Sequence, residues 1–124
     1  MARILIVDDS PSQLMSIRRI VEKLGHDALT AEDGAAGVEA AKREVPDLVL
    51  MDVVMPNLNG FQATRSITRE PTTRHIPVIL VTTKDQDTDR VWGMRQGAKA
   101  YITKPFSEAE LAAVIAQYVG GSAA

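Results

Sequence analysis

The chain of 124 residues contains no cysteine. This excludes disulfide bonds, thiolate metal sites and cysteine nucleophiles, and it suits a reducing compartment. An excess of one charge is also lacking. Fourteen Lys and Arg stand against sixteen Asp and Glu, for a formal net charge of -2, and no basic run exceeds a pair such as Arg18-Arg19. Nothing in that balance points to nucleic acid or a membrane surface as a partner. The first residues have neither a basic region nor an apolar stretch of signal length, so a soluble cytoplasmic protein is expected. No internal repeat, linker or output domain is visible. The length suits one domain, which at this size removes roughly two thirds of its unfolded surface from water.

What is present is an alternation, five times over, of short apolar runs with helix-like segments, which indicates an α/β domain with a parallel sheet. The strand-like runs are Ile4 to Val7, His26 to Ala31, Asp47 to Asp52, Val78 to Thr82 and Ala100 to Thr103. Ser10 is the expected N-cap of the first helix, with Pro11 at the first helical position, where its missing N–H is not needed. Leu14, Ile17, Val21 and Leu24 recur on one face, and Gly25 stops that helix. Asp33-Gly34 opens the second helix, whose Ala36, Val38, Ala40 and Ala41 supply a small-residue packing face, and Pro46 closes it. Asn59-Gly60 opens the third, with Phe61, Thr64 and Ile67 on its apolar face. The fourth runs from about Asp87 to Gln96 and ends at Gly97. If Val91, Met94 and Ala98 face the sheet, the Trp92 indole lies at the edge of that face, either packed or open as a partner anchor. Ser107 with Glu110 three residues later forms a capping box for the fifth helix, where Leu111, Val114, Ile115 and Tyr118 repeat at helical spacing. Residues 3–119 are thus the folded domain and 120–124 a frayed tail.

The polar residues at the strand ends carry the chemistry. Asp8-Asp9 follows the first run, Asp52 the third, Thr82 ends the fourth and Lys104 follows the fifth. The carboxyl ends of parallel strands open into the crevice where α/β sheets bind ligands. Three carboxylates gathered there repel one another by about 1 to 4 kcal/mol per pair at surface-like dielectric, which raises a pKa or draws in a cation. Magnesium, which takes oxygen ligands and keeps several waters, suits such a set. One carboxylate can then serve as nucleophile toward phosphorus and form an acyl phosphate, with Lys104 and Thr82 pairing with phosphoryl oxygens. Each of these residues alone has a plain structural reading, as a turn acid, a loop lysine or a strand-end hydroxyl. Their joint occurrence at neighbouring strand ends favours the chemical one.

The segments Val7-Asp8-Asp9-Ser10, Met51-Asp52-Val53-Val54-Met55-Pro56 with Gly60, Thr82-Thr83 and Thr103-Lys104-Pro105-Phe106 resemble the receiver domain of bacterial two-component response regulators. The likeness extends over about Arg3 to Val119. It implies a flavodoxin-like sheet of order 2-1-3-4-5 with helices on both faces. It implies further that Asp52 is the phosphoacceptor, that Asp8 and Asp9 bind magnesium, that the Val54 carbonyl is another metal ligand, and that Lys104-Pro105 is cis. Thr82 and Tyr101 would form the switch, altering the surface of the fourth helix, fifth strand and fifth helix, a two-state element biased by a new charge. The segments Val81 to Gln86, Val91 to Gly93, Arg95 to Ala98 and Gly60 to Arg65 look like stand-alone receivers of type IV pilus twitching-motility systems. A flagellar-chemotaxis-type receiver is the nearest alternative. The implied partners are a sensor histidine kinase of the chemotaxis type and a downstream protein bound through Trp92, Tyr101 and the fifth helix. A monomer is expected.

Val54 and Lys84 stand two residues beyond Asp52 and Thr82, and both flank the path of a hydrolytic water. Neither is a water-orienting carboxylate or amide, so the phosphoryl lifetime should be set by solvent access, with at most slow self-dephosphorylation. Two rival classes have their own signatures. A magnesium-dependent aspartyl phosphohydrolase often carries an acid two residues beyond its nucleophile, where this chain has Val54. A flavin-binding module needs a Ser, Thr and Gly-rich phosphate loop after the first strand, where Asp8-Asp9 would repel the anion.

Overall fold

Strands buried on both faces read as unbroken apolar runs, and the runs of this chain form a five-stranded parallel sheet. In the computed structural model, which describes residues 1–119, the order of elements is β1 (Arg3–Val7), α1 (Pro11–Lys23), β2 (Asp27–Ala31), α2 (Gly34–Glu44), β3 (Leu48–Met51), α3 (Gly60–Arg69), β4 (Val78–Thr82), α4 (Asp87–Arg95), β5 (Ala100–Thr103) and α5 (Glu108–Val119). The expected tail at 120–124 lies outside the described residues. The strands lie in the order β2-β1-β3-β4-β5, all parallel, which is the flavodoxin-like arrangement the sequence resemblance implies.

Strand side chains alternate between the two faces, and the core divides accordingly. Ile4, Ile6, Leu48, Leu50, Ile79 and Val81 pack with Leu14, Ile17 and Val21 of α1 and Leu111 and Ile115 of α5. Leu5, Val7, Val49, Met51, Val78 and Leu80 pack with Val38, Ala40 and Ala41 of α2 and Phe61, Ala63 and Ile67 of α3.

The helix boundaries follow local chemistry. Ser10 caps α1 by accepting from the Gln13 N–H, and Pro11 begins it. Asn59 and Gln62 form a complete capping box on α3, with reciprocal bonds of 2.9 and 3.0 Å. At α5, the described residues show half of the expected box, the Glu110 N–H donating to the Ser107 hydroxyl at 3.0 Å. β2 starts at Asp27, one residue later than the patterning suggests, while the ring Nδ1 of His26 accepts the Ala2 N–H at 3.0 Å. β3 is likewise shorter than the run Asp47 to Asp52, although both terminal acids still donate their N–H groups to β1, Asp47 to the Arg3 carbonyl at 2.8 Å and Asp52 to the Val7 carbonyl.

Four expected packing positions are wrong. Leu24 lies beyond the last turn of α1 and is exposed, and Ala36 is exposed while Gly34 and Gly37 take the close-packed places in α2. In α4, Val91 and Met94 face solvent and Gly93 is the buried residue; only Ala98, beyond the helix, is buried as expected.

Candidate functional site

Parallel register builds the site. Val7 pairs with Met51, so the next residues, Asp8 and Asp52, emerge side by side from β1 and β3. Thr82 pairs with Thr103, so Lys104 emerges beside the end of β4. The backbone fixes these exits, with the Asp52 N–H donating to the Val7 carbonyl at 2.9 Å and the Lys104 N–H to the Thr82 carbonyl at 2.8 Å. The junction lies where the strand order reverses around β1 and β3, the usual place for a ligand in an open α/β sheet. Gly60, at the start of α3, lies against the Asp52 carbonyl and the Val53 Cα, and a Cβ there would collide with backbone. Its absence of side chain lets α3 close down on the loop after Asp52.

Oxygen atoms of Asp8, Asp9 and Asp52 lie within 4.8 Å of one another, with Asp8 and Asp52 buried and Asp9 exposed. The Lys104 ammonium is 2.7 Å from Asp8 Oδ2 and 3.9 Å from Asp52 Oδ1. Lys104 is thus held chiefly by Asp8, whose second oxygen accepts the Ser10 N–H at 2.9 Å. Asp52 accepts the Val53 N–H at 2.8 Å. Burial pushes the Asp52 carboxyl above its ordinary pKa; Lys104 opposes that shift and Asp8 adds to it. Two carboxylates beside one ammonium leave Asp52 the less compensated.

Thr82 is fully buried, and its hydroxyl accepts the Lys84 N–H at 3.3 Å. Val54 is exposed and shares a shallow groove with Lys84, Met55, Asn59 and Phe61. Tyr101 is half-buried in β5, and its hydroxyl donates to the Lys84 carbonyl at 2.8 Å. Trp92 lies apart from the cluster, 48% exposed on α4. Lys104-Pro105 is cis. Sequence reasoning missed Arg90, whose guanidinium carbon stands 5.2 Å from the Tyr101 ring centroid. The available signal was the spacing of Arg90 and Gly93, three apart on a helix that precedes an aromatic strand residue.

The donor set is all hard oxygen, which fits magnesium and gives no soft ligand for a thiophilic ion. Residues 4–116 match the family model of the response regulator receiver domain. The chain is 57% identical over 121 residues to Protein PilH of Pseudomonas aeruginosa, covering 98% of this chain and 100% of PilH. It is 39% identical over 110 residues to Response regulator PleD of Caulobacter vibrioides, spanning 89% of this chain but 24% of PleD. Among solved structures, it resembles Vibrio cholerae chemotaxis protein CheY4 with a TM-score of 0.89 and 26% identity, covering 95% of this chain and 98% of that one. It also resembles the receiver domain of sensor histidine kinase PA1611 from Pseudomonas aeruginosa, with a TM-score of 0.89, 32% identity, and coverage of 97% and 98%. That structure has a magnesium ion coordinated in its active site cleft.

Proposed function

The chain belongs to the response regulator receiver family, and we propose that it is a phosphorelay switch that carries its phosphoryl group on Asp52. The observation that carries the reading is the buried meeting of Asp8, Asp52 and Lys104 at adjacent strand ends, with Asp9 at the rim. Asp8, Asp9, Asp52 and the Val54 carbonyl are the groups that would hold magnesium. When bound, that ion supplies positive charge that offsets the carboxylates and the incoming phosphoryl oxygens.

A carboxylate oxygen of Asp52 attacks phosphorus of a phosphohistidine, the P–N bond breaks, and the imidazole leaves with the electron pair. Asp52 is suited to this role because it lacks the close ammonium partner that Asp8 has. Lys104 passes from Asp8 to a phosphoryl oxygen, and Thr82 turns its hydroxyl from the Lys84 N–H to another. Loss of that contact frees the loop that also anchors Tyr101, so a local charge changes the surface of α4, β5 and α5.

The phosphoryl donor is a sensor histidine kinase of the chemotaxis type, and the output is binding to a protein target or drainage of phosphate. The full-length likeness to PilH supports action as a single receiver domain over 3–119 in type IV pilus twitching motility. It favours that setting over a flagellar-chemotaxis-type receiver, since the identity to the chemotaxis protein CheY4 is only 26%. The protein signals rather than turning over a substrate, as a monomer in the cytoplasm. Among the described residues no helix is long and apolar enough to cross a membrane. Acetyl phosphate with magnesium should label wild-type protein and leave Asp52→Asn unlabelled. Persistent labelling of that variant at another residue would overturn the assignment.

A further inference from the structure

Helix α4 is attached to the sheet in an uncommon way. Helices ordinarily dock through a stripe of apolar side chains, but the buried residue of α4 is Gly93, and Val91, Trp92 and Met94 are exposed. The contact is made instead by Leu80 of β4, whose Cδ1 would lie 2.6 Å from a Cβ on Gly93, together with the Tyr101 ring reaching up from β5. A Cβ built on Gly93 would lie 3.3 Å from both Cδ2 and Cε2 of that ring, so helix backbone and ring are in direct apposition. One turn earlier on the same helix face, Arg90 places its guanidinium carbon 5.2 Å from the ring centroid, and its Nη1 donates a long bond of 3.4 Å to the Tyr101 carbonyl. The far end of the ring donates to the Lys84 carbonyl, and the Lys84 N–H donates to Thr82. A continuous chain of contacts therefore runs from Thr82 at the site to Arg90 on α4.

We propose that Arg90 is a positioning residue that holds the Tyr101 ring in its docked orientation and thereby sets where α4 presents Trp92 to a partner. The coupling to signalling rests on the receiver reading; the hold on the ring does not. A cation over an aromatic face at an exposed site shifts an equilibrium by about two- to fivefold. That is enough to bias the ring without locking it. The Lys84–Asp89 pair at 3.8 Å provides a weaker second tie between the loop and α4.

The test uses 3-fluorotyrosine at both tyrosines, with the Tyr101 resonance assigned through Tyr118→Phe. The fluorine isotope shift between H2O and D2O reports ring exposure. Without any phosphoryl group, Arg90→Met should lower the docked-to-free ratio about two- to fivefold and move the shift toward the unfolded value, and Arg90→Lys should restore part of it. Phenol ionisation, followed in the unfluorinated protein, adds a sign. Burial first, then the Asp89 charge, with Asp52 and Asp85 adding less, push the Tyr101 phenol up to about 12, and the Arg90 charge pulls it down. Losing a mere neighbouring charge would raise it further, whereas releasing the ring to water lowers it toward about 10. An unchanged isotope shift in Arg90→Met, or an upward-moving phenol, would overturn the proposal. Acetyl phosphate labelling of the same samples separates the two readings: failure to label removes the receiver reading, while the ring measurement still decides the role of Arg90.

Discussion

Removing the Lys104 ammonium should destabilise the metal-free protein by about 3 to 5 kcal/mol, the range for breaking a buried ion pair from one side. Its Nζ lies 2.7 Å from Asp8 Oδ2, and the two side chains are only 9% and 2% exposed. In Lys104→Met the apolar stem remains, but Asp8 keeps only the Ser10 N–H and stands beside a second carboxylate. The penalty is that of an uncompensated buried charge more than that of a lost attraction. Urea unfolding at neutral pH in EDTA reads it directly: with a slope of roughly 2 kcal/mol/M, the midpoint falls by about 1.5 to 2.5 M. Two controls separate charge from packing. The double variant Lys104→Met with Asp8→Asn should recover more than half of the loss, because a neutral amide needs no counter-ion. Magnesium at about one hundred times its Kd should return about 2.7 kcal/mol. A midpoint change below about 0.5 M, or a double variant no better than the single one, would refute the reasoning.

Further outcomes follow from other residues. Asp52 has its pKa raised by burial, so its contribution to stability is fully present below its ordinary value of 3.8 and is lost as pH rises through the folded value. Asp52→Asn should therefore match wild type in acid and exceed it at neutral pH without magnesium; thermal melts showing a constant gap across that window would contradict this. Val45, at φ 42 and ψ 64, places a β-branched residue in the left-handed region on the surface. Val45→Asn should relieve about 1 kcal/mol and raise Tm by about 3 to 5 °C in calorimetry, and a lowered Tm would discredit the strain argument. Val54→Asn should speed loss of the phosphoryl group by supplying an amide that can orient water, and an unchanged rate of phosphate release would count against control by solvent access.

The strand ends were legible in the sequence because each fully buried strand is an unbroken apolar run, and the polar residue that ends it is conspicuous. The parallel topology then brings Asp8, Asp52, Thr82 and Lys104 to one edge of the sheet. The pairing of Lys104 with Asp8 was not legible, since a four-carbon stem reaches either acid and the choice depends on rotamer and register. Helix α4 was misread because periodicity weighs side chains, and the residue that meets the sheet there is Gly93, which has none. Leu24 was misplaced by carrying the helical stripe one residue beyond Lys23, onto the C-cap that precedes the turn at Gly25, whose φ is +91°.

Adjacent residues along β1 serve different halves of the molecule. Ile4 and Ile6 support the layer of α1 and α5, while Leu5 and Val7 support the layer of α2 and α3. A substitution at one position and a substitution at the next therefore loosen opposite layers, although they are neighbours in the chain. The sheet separates the two helical layers. Each can drift in packing and surface character as a separate compartment, while the shared strands keep the acidic edge in register.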